Sequence, residues 1–158
     1  MKNGIIIVDH GSRRGKSNEL LEDVATLFAA RFAELYDIVE PAHMELAEPS
    51  IQTAYHKCVE RGATHVIVCP FFLGPGKHWT SDIPRLTAEA AKANPGTQYH
   101  VSMPLGIDEL ILELLAKRVG FCVREDFRCE SCRGTIRSGE KGLPIPQEAP
   151  HAAVHRRD

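Results

Sequence analysis

The chain has 158 residues, 43% of them hydrophobic and 25% charged, with a formal net charge of −2. That length suits one ordinary domain with enough chain to bury a core. The near-balanced charge argues against a nucleic-acid or membrane-surface binder, and no apolar run reaches the roughly 18 residues of a spanning helix. The chain enters a strand almost at once, so no leader peptide is expected. Five cysteines, an odd number, point to a reducing compartment. That compartment is expected to be the cytoplasm.

The first element is the β-branched run Gly4 to Val8, which reads as a strand buried on both faces and ends abruptly in Asp9-His10-Gly11-Ser12. Ser17 or Asn18 can cap the helix that follows, in which Leu20, Leu21, Val24, Leu27, Phe28, Phe32 and Leu35 recur at helical spacing. A strand over about 38–44 contains Pro41, which places it at a sheet edge. Pro49 fits the first position of a second helix that Gly62 ends. Thr64 to Phe72 is the most clearly buried strand, and residues 74–81 form a polar, glycine-rich loop. A third helix over about 82–93, a strand over 99–103 and a helix carrying Leu110, Ile111, Leu114, Leu115 and Val119 complete the pattern.

The alternation β-α-β-α-β-α-β-α predicts an α/β fold, a flavodoxin-like three-layer sandwich on a four-stranded parallel sheet of order 2-1-3-4. Ligands in such sheets bind outside the carboxyl ends at the switch point, here between strands one and three. His10 leaves strand one and His78 follows strand three, so topology brings the two imidazoles to one crevice, where they could ligate a divalent metal. Glu45 follows strand two on the same side and could ligate or take up protons. Ser12, Arg13, Arg14, Lys16, Lys77, Thr80 and Ser81 surround glycines in the adjoining loops and suit a polyanionic ligand. Trp79 reads either as an apolar wall for a flat ligand or as an anchor on the core. The bland alternative for the polar residues is a solvated rim. Cys122, Cys129 and Cys132, spaced C-x6-C-x2-C, read as part of a metal or iron–sulfur site, one thiolate short of four. Cys58 and Cys69 look structural. From about Ser138 the chain loses periodicity and reads as a flexible tail.

The motifs IIIVDHGSRR (5–14), PAHMELAEPSI (41–51), PFFLGPGKHWTSDIP (70–84) and PLG (104–106), in that order, resemble the small sirohydrochlorin chelatases of the CbiX/SirB type. Within that group the resemblance is nearest to the plant-type sirohydrochlorin ferrochelatases. It covers about residues 4–121 and implies a chelatase domain over 1–121, a cysteine-containing segment over 122–137 and a tail over 138–158. It implies a lyase that inserts Fe²⁺ or Co²⁺ into sirohydrochlorin, the last step towards sirohaem, acting as a homodimer. His10 and His78 match the family's active-site histidines and Glu45 its glutamate. The plant-type enzymes carry a C-terminal [2Fe-2S] cluster, for which Cys122, Cys129 and Cys132 stand in the right region. A fourth ligand would then come from a partner subunit, from a tail histidine such as His151, or from another donor. The substrate is a flat polycarboxylate, so Ser12, Arg13, Arg14, Lys77 and Thr80 would grip carboxylates and Trp79 would face the ring. An imidazole with a pKa near about 6.5 can either ligate metal or accept a proton at neutral pH.

Three rivals come from other classes. A histidine phosphatase would place Arg, not Asp9, before the histidine. A tetrapyrrole or iron–sulfur carrier would bind without accelerating metal insertion. A zinc module on the C-terminal cysteines would bind nucleic acid, but basic and aromatic residues are not interleaved there.

Overall fold

The computed structural model describes residues 2–74 and 76–125. The chain divides into two compact units, Met1–Ile107 and Asp108–Asp158. In the first unit β1 (Asn3–Asp9), β2 (Ile38–His43), β3 (His65–Pro70) and β4 (Gln98–Val101) form one parallel sheet of order β2-β1-β3-β4. This is the expected order, with β2 and its Pro41 at an edge.

The unbroken apolar run of β1 follows from burial on both sides. Ile6 and Val8 pack with Val66, Val68, Ile38 and Ala42 against Ile51, Ala54, Tyr55 and Cys58 of α2 (Ile51–Glu60) and Ile83 and Ala90 of α3 (Ile83–Ala93). Ile5, Ile7 and Val39 face the other way, onto Leu21 and Ala25 of α1 (Gly15–Arg31). A central strand therefore has no polar face, and its side chains alternate between two cores. Gly4 lets α2 close on β1, since a Cβ there would stand 2.9 Å from the Cys58 Cβ.

Several local expectations are corrected. No side chain caps α1, whose N-cap is Arg14. Asn18 instead accepts from the Ser12 N–H and donates to the Ser12 carbonyl, each at 2.9 Å, tying the loop after β1 to the helix. The helix ends at Arg31 with Phe32 as its C-cap, so Leu35 lies outside it and is exposed. Pro49 precedes α2 rather than opening it, and Ser50 caps the helix through the Thr53 N–H. The polar loop after β3 is partly helical. His78–Asp82 is a π-helical turn running directly into α3.

In the second unit α4 (Glu109–Arg124) starts at Asp108, whose carboxylate accepts from the Leu110 N–H at 2.9 Å. Cys122 lies on the last turns of this helix. Cys129, Cys132 and the 138–158 tail lie outside the described residues. Among the described residues no helix is long and apolar enough to cross a membrane.

Candidate active site

Three strand ends build the site. The backbone ladder continues past the strands: Met44 donates to the Asp9 carbonyl at 2.8 Å and Glu45 to the His10 carbonyl at 3.2 Å. These bonds bring Glu45 beside His10, and the His10 Nε2 lies 2.8 Å from Glu45 Oε1. The His10 and His78 rings meet edge to face, with centroids 5.1 Å apart and an interplanar angle of 70°. All three side chains are partly exposed, so solvent and ligand can reach them.

Chemistry assigns the protons. His78 Nδ1 lies 2.9 Å from Asp82 Oδ2. An ionised carboxylate only accepts, so Nδ1 carries the hydrogen and Nε2 is the ring nitrogen left for a ligand. Among the described residues that Nε2 has no protein partner. By the same argument the His10 Nε2 holds a proton towards Glu45, while its Nδ1 lies 3.4 Å from the Gly11 carbonyl, which also only accepts. Among the described residues no group of three or more His, Cys, Asp or Glu side chains stands assembled as a metal cage. The arrangement is a histidine pair with a carboxylate hydrogen-bonded to each ring, Glu45 to His10 and Asp82 to His78.

The expected ligand-gripping residues are distributed around this centre. Arg13, Arg14, Lys16 and Lys77 are exposed and make no ion pair among the described residues. Ser12 accepts from the Arg14 N–H at 3.1 Å, which leaves its hydroxyl proton free to donate. Thr80 donates to the Gly76 carbonyl at 3.1 Å. Trp79 donates Nε1–H to the Ser102 carbonyl at 3.0 Å, which anchors the turn to the end of β4.

The sequence reading missed four features. Asp82 orients His78 from four residues on, a spacing that carries meaning only once the segment is known to be helical. Asp9 and His43 form a pair at the last rung of β1 and β2, described further below. Leu46 has φ 67° and is exposed immediately after Glu45. It belongs with Phe71, Leu73, Met103 and Leu105, large apolar side chains exposed after β3 and β4. An apolar rim at the carboxyl end of a sheet suits a flat ligand.

The thiols separate by environment. Cys58 and Cys69 are free, with burial pushing the Cys58 thiol up to about 12 and the Cys69 thiol upward. Neither is a thiolate at neutral pH, in keeping with structural roles. Cys122 is half-buried and free.

The model of the CbiX family matches residues 4–120. The chain is 50% identical over 136 residues to the chloroplastic sirohydrochlorin ferrochelatase of Arabidopsis thaliana, covering 84% of this chain and 60% of that protein. It is 32% identical over 125 residues to the sirohydrochlorin cobaltochelatase of Sulfurisphaera tokodaii, covering 79% of this chain and 98% of that protein. Among solved structures, SirB from Bacillus subtilis with Fe3+ superposes with a TM-score of 0.67 at 32% identity, over 80% of this chain and 48% of that one. The chain spans 60% of the Arabidopsis relative and 45% of the curated Bacillus subtilis ferrochelatase. The family model over residues 4–120 and the 50% identical relative, together with the fold shared with the solved structure, place the chain in the CbiX family.

Proposed function

We propose that this chain is a sirohydrochlorin chelatase that inserts Fe²⁺, with Co²⁺ as an alternative metal, into sirohydrochlorin. The observation that carries the reading is the edge-to-face pair His10 and His78 at the carboxyl ends of β1 and β3, with Glu45 hydrogen-bonded to His10. The ferrochelatase and cobaltochelatase relatives support both metals. Imidazole and carboxylate donors accept either ion, so availability decides.

In this reading His78 Nε2, left for a ligand while Asp82 holds Nδ1, and His10 Nε2 hold the incoming metal. Glu45 takes the His10 Nε2 proton as the metal arrives, the ring keeping its other proton on Nδ1, which faces the Gly11 carbonyl at 3.4 Å, so that a neutral imidazole meets the ion. The pyrrole protons pass to the same bases as the metal leaves for the ring. Two nitrogen donors bind loosely enough to release the ion, where a closed four-ligand cage would keep it. Arg13, Arg14, Lys77 and Ser12 hold the macrocycle's carboxylates. Trp79 and Thr80 shape the turn beneath it, Trp79 contributing its ring face because its N–H is engaged with Ser102. The family match over 4–120 supports residues 1–121 as the chelatase domain.

The match to about half of the SirB chain supports a homodimer, in which a second copy stands for the remaining half. The chloroplastic relative supports a plastid stroma as the working compartment. Cys122, Cys129 and Cys132 are proposed as ligands of a [2Fe-2S] cluster. Soft thiolates suit it, and Cys122 sits at a helix end followed by the other two. Three thiolates leave one position for a donor from the tail, such as His151, or from a second copy.

The test is an anaerobic assay with sirohydrochlorin, offering Fe²⁺ and Co²⁺ separately and following the macrocycle's absorbance. Metal-dependent loss of the free-base bands, faster than without protein, is the expected result. Band shifts from binding without acceleration would replace the chelatase by a tetrapyrrole carrier.

A further inference from the structure

His43 is the anomaly at this end of the sheet. It is 0% exposed, and its Nε2 is the one buried side-chain nitrogen or oxygen among the described residues with no hydrogen-bond partner. Its Nδ1 lies 2.6 Å from Asp9 Oδ1. Asp9 can only accept, so the Nδ1 donates and the Nε2 is the orphan. A phenylalanine would fill the same space with no polar atom left unpaired. Stability alone therefore does not account for a histidine here.

Geometry does. Asp9 and His43 are register partners on β1 and β2. The same Asp9 Oδ1 also accepts the Gly11 N–H at 2.9 Å, which folds the chain back immediately after His10. Gly11 sits at φ +83°, and a Cβ there would collide with the Glu45 carbonyl and stand 3.0 Å from the His43 Cβ. The His43 N–H in turn donates to the Pro49 carbonyl at 2.7 Å, closing the turn that contains Glu45. One carboxylate oxygen thus ties the residue before His10, the residue after it and the end of β2 at His43, two residues before Glu45.

We infer that Asp9 and His43 are a positioning pair that sets the contact between His10 Nε2 and Glu45 Oε1 and so holds the site in register. Neither touches the metal or the macrocycle. The inference rests on the roles given to His10 and Glu45 above.

The full chain carrying His43→Phe, Asp9→Ala or Asp9→Asn tests it. In His43→Phe we expect Tm close to wild type, kcat lower by about 10- to 100-fold, as for removal of an orienting partner, and KM for sirohydrochlorin nearly unchanged. Asp9→Asn keeps an acceptor oxygen and should recover most of the rate that Asp9→Ala loses. A crystal structure of His43→Phe should show His10 and Glu45 out of hydrogen-bond range. A folded His43→Phe with wild-type kcat, or an unchanged His10–Glu45 contact, overturns the inference. If His43→Phe does not fold, equal rates in Asp9→Ala and Asp9→Asn overturn it instead. Should the wild-type chain insert no metal, the chelatase reading fails on its own, and the crystallographic contact still decides the role of the pair.

Discussion

At the scale of single residues, His78 depends on the carboxylate one turn further along. Asp82 fixes the ring and its tautomer through a 2.9 Å hydrogen bond. An Asp82→Asn side chain keeps the size but offers an amide that can donate as well as accept, so the imidazole loses its enforced tautomer. The expected outcome is a kcat about 10- to 100-fold lower with Tm little changed, measured by the metal-insertion assay and by thermal unfolding. His10 and Glu45 stood out in the sequence because each is a polar residue just beyond a strand, a place where parallel sheets expose side chains, and His78 because it lies in the polar segment that follows β3. Asp82 did not, because a glycine-rich segment reads as a loop and hides an i, i+4 relation. His43 was hidden differently. A histidine at a strand end reads as surface, and only the register with Asp9 shows that it is buried.

At the scale of elements, the backbone ladder past β1 and β2 carries Glu45 into place, and the helix that follows is started by its own cap. Ser50 begins α2 by accepting the Thr53 N–H at 3.2 Å, while Glu48 accepts from the Ser50 N–H at 2.7 Å and the Thr53 hydroxyl at 3.0 Å. Replacing Ser50 by Ala removes the cap and should cost about 1 kcal/mol, read as a lower denaturant midpoint at unchanged slope. The insertion rate at room temperature should stay near wild type, because Glu45 is held by the ladder to His10 rather than by the helix. Helix existence was legible from the apolar spacing, but helix ends were less so. Phe32 and Leu35 continue the period of α1, yet Phe32 is the C-cap, packed against Phe28 with ring centroids 4.9 Å apart. Asn18 looked like a cap and instead serves the Ser12 loop, since a side-chain amide satisfies backbone groups wherever they are left over.

At the scale of the whole molecule, one buried strand feeding two cores decides both the fold and the place of the site. The run Ile5 to Val8 left β1 no alternative to the sheet centre, so the 2-1-3-4 order and the crevice beyond β1 and β3 were readable early. The centre also carries Cys58, buried against Gly4, with its thiol pushed from 9.0 up to about 12 chiefly by burial. A raised folded-state pKa favours the protonated form. Its contribution to stability is therefore complete below about pH 9 and is lost as the pH rises towards 12. Denaturant midpoints between pH 8.5 and 11 should fall more steeply in wild type than in Cys58→Ala. Equal slopes would remove Cys58 from the alkaline response. The central claim is that His10 and His78 act as one unit on one metal ion, and a double-mutant cycle on the insertion rate tests it most directly. Anaerobic rates would be compared for wild type, His10→Ala, His78→Ala and the double variant. Groups acting as a unit are non-additive, so the account predicts that either single replacement removes nearly all the activity and the second adds little. Independent, additive losses, or a near-wild-type rate in His10→Ala, would contradict it.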